Sequence, residues 1–339
     1  MVKFNLKALT DIWTGGVERK GEEFHLTGIR GSLRWWYEVL IRALDKYACD
    51  PSDENFRCSL DIPNADKKKI KEGESKLEDY VKGKICPVCY MFGCTGWGGK
   101  FVLRIRDEAA GTLFVLEFIE KKKFEPEEVL LLKMALKLII DYGAIGGRTV
   151  LKPADKNQAN IKDRKNYKGG IHLDYGLIER GRDNNGQNIS NVPDQGELIY
   201  NKNNKEAIKA YLNQFTLNKA NECDWPDLRN FWFVNGDYID GPTHNIIVSR
   251  DIGNPKEYEQ SATSLQRWLG GKEGESKKIF SFHGLVEDPS NPNNMISSFL
   301  PRCFGYARRS ELDKVIQLIE SNTCLKGKIR KGEEILNEL

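Results

Sequence analysis

The order of elements predicts an α+β protein whose first half follows the β-α-β-β-α-β, or ferredoxin-like, plan. The second half repeats that pattern less clearly. Three observations carry this reading. Residues 3–9 alternate polar and apolar and read as a strand. Two β-rich segments, 98–106 and 111–119, are joined by Asp107-Glu108-Ala109-Ala110 as a hairpin, with a long helical pattern on either side. Residues 182–188 (RDNNGQN) are turn chemistry without apolar content, and Pro193 extends them into a linker. At 339 residues the chain has room for two domains, and the spacing places them at 1–189 and 190–339.

Taken in order, a loop marked by Gly15-Gly16 and Lys20-Gly21 leads to a short strand near residues 24–26, then a helix over 32–47. Leu33, Trp36, Tyr37, Leu40, Ile41 and Leu44 recur at helical spacing and predict its buried stripe. Residues 50–84 are polar, carry Lys67-Lys68-Lys69 and read as an exposed insertion or small helix. Pro126 opens a helix to about residue 142, with Glu125, Glu127 and Glu128 favouring its start and Gly143, Gly146 and Gly147 ending it. A strand at 171–179 completes the first unit. In the second half, 205–215, 255–269 and 310–320 read as helices. Strands are expected at 231–234, 246–248, 278–286 and within 297–308.

Composition narrows the function classes. Lys and Arg number 52 against 49 Asp and Glu, a net charge of +3, so a nucleic-acid surface must be a local patch. The most apolar helix, near 129–140, is interrupted by Lys133 and Lys137 and does not span a membrane. No signal pattern opens the chain, so the cytoplasm is the expected compartment. Eight cysteines in such a chain argue for thiols or a metal site over a disulfide framework.

The most informative stretch is Thr27-Gly28-Ile29-Arg30-Gly31-Ser32-Leu33-Arg34-Trp35-Trp36. It reads as a glycine-punctuated basic turn feeding an aromatic helix. Ser32 is the expected N-cap, and Arg30 and Arg34 stand at the helix entrance, where free N–H groups favour an anion. Two solvated arginines beside a capped core helix is the plainer alternative. Gly-x-x-Gly-x-Leu-Arg-Trp-Trp resembles the glycine-arginine motif of the RAMP proteins, the repeat-associated subunits of CRISPR systems. The doubled tryptophan is similar to the Cmr branch, the family of Cmr subunit one. That resemblance implies two ferredoxin-like (RRM-like) domains with insertions, the RAMP fold, and a role in type III-B RNA-guided antiviral complexes. Its partners would be guide and target RNA and other Cmr subunits.

A second basic segment follows the second helix. Ile145-Gly146-Gly147-Arg148-Thr149 opens a run with Lys152, Lys156, Lys162, Arg164, Lys165 and Lys168, opposed only by Asp155 and Asp163. Such a segment suits a phosphodiester chain, because each neutralised phosphate releases a counterion; a solvated loop is the alternative. RAMP proteins carry a glycine-rich basic loop at this place. Here about twenty residues separate its two halves. Lys100, Arg104 and Arg106, after Gly98-Gly99, are expected to share one strand face and extend the track. Arg308 and Arg309 before the last long helix could hold phosphates, with Tyr306 stacking a base.

Cys86-Pro87-Val88-Cys89 with Cys94 offers three thiolates. A fourth ligand requires Cys49 or Cys58 to fold back, and the expectation is thiols with no metal or cofactor. His25, beside the glycine-arginine motif, is the best acid–base candidate. The expected function is therefore a non-catalytic RNA-binding subunit using Arg30, Arg34, Lys100, Arg104, Arg148, Lys152, Arg164, Lys168, Arg308 and Arg309. A metal-independent endoribonuclease using His25 and a zinc-stapled assembly adaptor stand as alternatives.

Overall fold

The structure is a computed structural model and describes residues 1–9, 12, 14, 25–71, 76–109, 113–146, 178–183, 185–194, 196–218, 226–248, 263–271, 278–282, 285–288, 291–297 and 301–339. The first unit runs β1 (Val2–Ala8), α1 (Leu26–Ala43), α2 (Asn64–Lys71), α3 (Leu77–Lys82), α4 (Pro87–Phe92), β2 (Phe101–Ala109), β3 (Leu113–Glu120), α5 (Pro126–Asp141) and β4 (Ile178–Arg180). Its four strands pair antiparallel in the order β2-β3-β1-β4. That is the ferredoxin-like arrangement, with α1 and α5 as the two crossovers and α2 to α4 inserted before β2.

After α6 (Lys202–Leu212) the second unit comprises β5 (Phe231–Asn235), α7 (Gly241–Ile247), α8 (Ser264–Gly270), β6 (Ile279–Phe282), β7 (Leu285–Asp288), β8 (Asn291–Ser297), β9 (Arg302–Tyr306), α9 (Leu312–Asn322), β10 (Arg330–Lys331) and α10 (Gly332–Leu336). Its sheet order, β10-β5-β9-β6, reproduces the first unit's order strand for strand, with the β7-β8 hairpin inserted between the second and third strands. The protein is thus α+β with two ferredoxin-like units.

Local chemistry explains most elements. Glu125 and Glu128 form a reciprocal capping box around Pro126 at the start of α5. Asp240 caps α7 by accepting from the Thr243 N–H at 3.0 Å, with Pro242 in the first turn. This cap overrules the β-branched content of residues 246–248, and the strand expected there is the end of a helix. The strand expected near 24–26 is likewise absent at its described residues: His25 is the N-cap of α1 and Leu26 its first residue. Gly28 and Gly31 therefore lie inside a helix and not in a turn. Ser32 is not the N-cap; its hydroxyl accepts from the Gly146 N–H at 3.0 Å, tying α1 to the chain beyond α5.

The doubled tryptophan joins the two units. Trp36 is buried and donates its indole N–H to the Ala144 carbonyl at 2.8 Å. Its ring lies 5.8 Å from Phe231 and 5.7 Å from Phe304, on β5 and β9, while Trp35 contacts Phe231 and Tyr306. One apolar core consequently runs from Phe4 and Phe118 of the first sheet through α1 and α5 to Phe233 and Phe282 of the second. Gly143 is required here, since a Cβ on it would stand 2.5 Å from the Trp36 ring. Buried Arg302 adds a polar tie from β9, donating to the Ile140 carbonyl at the end of α5 at 2.6 Å. Burial lowers its pKa to about 10.

Candidate functional site: a basic sheet face and a four-thiol cluster

Arg30 and Arg34 of the glycine-arginine motif point inward. Arg30 donates to the Phe92 carbonyl, and its guanidinium lies 5.2 Å from the centre of the Phe101 ring. Arg34 donates to the Gly93 carbonyl at 2.8 Å, to Glu38 Oε1 at 2.8 Å and to Cys89 Sγ at 3.2 Å. Together they satisfy the last carbonyls of α4, which the helix itself leaves unpaired. Burial disfavours the Arg34 charge, but the Cys89 sulfur and the Glu38 carboxylate more than offset this and hold its pKa above the ordinary range. For Arg30, burial and the neighbouring Arg34 act together and lower it. Burial pushes the Glu38 carboxyl up to about 7 against the pull of Arg34.

Lys100 is corrected outright as a nucleic-acid contact. It is 1% exposed and donates to both Glu128 oxygens, at 2.9 and 2.7 Å. The expected shared face with Arg104 fails because Lys100 precedes β2. Gly99, at φ 68°, turns the backbone there, and a Cβ on it would stand 2.8 Å from the Phe92 carbonyl carbon. Tyr306, 2% exposed, is core and presents no ring for a base. Arg308 and Arg309 are exposed; Arg308 lies 5.5 Å from the Trp268 ring. Arg148, Lys152, Arg164 and Lys168 lie outside the described residues.

Arg104 does face outward, on the side of the first sheet away from α1 and α5. The strand register places Arg104 opposite Glu117, and Glu117 opposite Lys3. Lys3, Lys7 and Arg106 join Arg104 on this face, each cation at least partly exposed. Glu117 lies beneath them, 3.0 Å from Lys3 and 3.1 Å from Arg106, and these cations, Lys3 foremost, lower its pKa. Lys7 pairs with Glu179 of β4 at 2.9 Å. The β3 residues on this face, Leu113, Val115, Glu117 and Ile119, include no aromatic ring. Lys3 and Lys7 were legible in the period-two pattern of β1, where they alternate with buried Phe4 and Leu6.

Beside α1 the chain gathers four buried thiols, Cys49, Cys58, Cys86 and Cys89, whose sulfurs all lie within 4.8 Å of one another. Cys94, expected from sequence, is not in this set; Cys49 and Cys58 both fold back. Asp45, at φ 59°, reverses the chain after α1. Arg42 then fixes the return by donating to the Ala48 carbonyl at 2.8 Å and the Cys49 carbonyl at 3.3 Å. Cys58 precedes a bridge between Ser59 and Thr95, which packs so closely that a Cβ on Gly96 would meet the Leu60 carbonyl oxygen at 1.9 Å. Cys86 is the N-cap of α4, and its sulfur accepts from the Cys89 N–H at 3.4 Å. The Cys86 N–H donates to Cys58 Sγ at 3.4 Å.

His25 shares neither feature: its backbone N–H donates to the Thr14 hydroxyl at 2.7 Å while it caps α1. No helix among the described residues is long and apolar enough to cross a membrane.

The family comparison agrees with the RAMP resemblance read from the motif. A crystal structure of Cmr1 from Pyrococcus furiosus in its apo form aligns over 97% of this chain and 98% of that one, at 11% identity and a TM-score of 0.45. A search of curated proteins found no match. The family model of the RAMP superfamily matches residues 5–151, which span β1 through α5 with the inserted thiol cluster. Over that part the chain is similar to the RAMP superfamily.

Proposed function

We propose that the chain is a non-catalytic RNA-binding subunit of a type III-B CRISPR effector, the Cmr complex, and holds guide or target RNA by its phosphates in antiviral defence. The observation that carries this reading is the outer face of the first sheet, where Lys3, Lys7, Arg104 and Arg106 stand together within a RAMP-superfamily unit. Cations on a sheet without stacking rings suit the ester oxygens of a polynucleotide better than its bases, so the grip carries little sequence preference. The exposed Arg308 and Arg309 offer a further contact on the second unit.

Crosslinking RNA to the purified effector complex tests the proposal. Crosslinked peptides are expected from residues 1–9 and 101–106, and RNA affinity should fall steeply with salt. Crosslinks confined to other subunits, with salt-independent affinity for the isolated chain, would overturn it. Defined cleavage of repeat RNA, lost in His25→Ala, would instead establish the endoribonuclease.

A further inference from the structure

We propose that Cys49, Cys58, Cys86 and Cys89 hold one structural zinc ion that pins the inserted segment to α1, with Arg34 as a positioning residue for its thiolates. The donor set is four sulfurs, which selects zinc or iron over the hard cations. Metal–sulfur bonds of about 2.3 Å in a tetrahedron place sulfurs roughly 3.8 Å apart, and the four here lie within 4.8 Å of one another. That spread suits a single ion; a cluster of several iron atoms needs its ligands further apart. All four cysteines are buried, so a coordination shell of four sulfurs is closed and offers no position for substrate water, as in structural rather than catalytic sites.

Independent contacts favour thiolates over thiols. The Cys86 and Cys89 N–H groups point at sulfur. The Arg34 guanidinium lies 3.2 Å from Cys89 Sγ and 3.9 Å from Cys49 Sγ. Four thiolates around a divalent ion leave two negative charges, and an adjacent guanidinium offsets one. The bound ion would close a loop running from the end of α1 to α4. Among the described residues 50–84, only Cys58, Leu60, Val81 and Lys82 are buried, and α2 buries none. A segment with so little core needs a staple of this kind. On binding, each thiol loses its proton to solvent as a metal–sulfur bond forms, with no change in oxidation state.

The test is metal analysis of the full chain with cobalt exchange. One zinc per chain is expected. Replacement by Co(II) should give the visible absorption of a tetrahedral thiolate site, and chelation should expose residues 59–85 to protease. Arg34→Met should weaken metal retention by about 10- to 100-fold while leaving one site per chain. Cys58→Ala should abolish the cobalt spectrum; if that variant fails to fold, the wild-type stoichiometry and spectrum decide alone. Metal-free protein with four titratable thiols and no response to cobalt, a Cys49–Cys89 disulfide, or iron in place of zinc would each overturn the proposal. Loss of RNA binding in the complex has no bearing on these readouts.

Discussion

The two sides of the first sheet are both rich in cations and use them in opposite ways. On the helix side, Lys100 is buried against Glu128, and Arg30 and Arg34 are spent on carbonyls and sulfur near α4. On the outer side, Lys3 and Arg106 pair with Glu117 and Lys7 with Glu179, and all three, like Arg104, keep part of their surface in water. A cation inside is a structural tie whose loss strands a partner; a cation outside is available to a ligand. Only three backbone steps along the chain separate buried Phe101, the first residue of β2, from outward-facing Arg104, so the difference lies in pleat and turn and not in residue type.

Lys100→Met is the strongest way to break this contrast. It leaves Glu128 buried with only the Tyr211 hydroxyl, at 2.7 Å, and the Glu125 N–H, at 2.8 Å. Stability should fall by about 3–5 kcal/mol, read by denaturant unfolding, as for other broken buried pairs. A stability within about 0.5 kcal/mol of the parent would show that Lys100 is as free as Arg104. Gly143→Ala asks whether the tryptophan junction is as tight as its geometry. The added methyl must displace Trp36, at a cost of about 1–3 kcal/mol, and intrinsic fluorescence should report the shifted ring.

The Arg104→Gln/Arg106→Gln pair should have the smallest effect on stability, within about 0.5 kcal/mol by thermal unfolding. On the proposed function it should reduce the slope of log affinity for single-stranded RNA against log salt by about 1.4, from roughly 0.7 per phosphate contact. An unchanged slope would remove the outer face from the RNA path. Arg30→Gln sharpens the same comparison from the other side: it should lower stability and leave that slope untouched.

The first ferredoxin-like unit could be read from sequence because its signals are local. Alternation marks β1, Pro126 and the surrounding glutamates open α5, and the hairpin is continuous in the chain. The second unit was harder to read because its strands are short and interrupted by the β7-β8 hairpin, and β10 is only two residues long. Its strand order emerges only from pairing across long sequence distances.

Residue type and spacing by themselves determined that α1 has an apolar stripe, that Trp35-Trp36 matters, and that cysteines cluster near residue 86. Only the tertiary structure decided the directions. The backbone reversal at Asp45 and the close approach at Gly96 bring Cys49 and Cys58 to Cys86 and Cys89. The glycine turn at 99 sends Lys100 into the core while β2 sends Arg104 out. Spacing along a chain fixes which side chains can share a face of one element; which face meets water depends on what packs against it, and that is settled by residues far away in sequence.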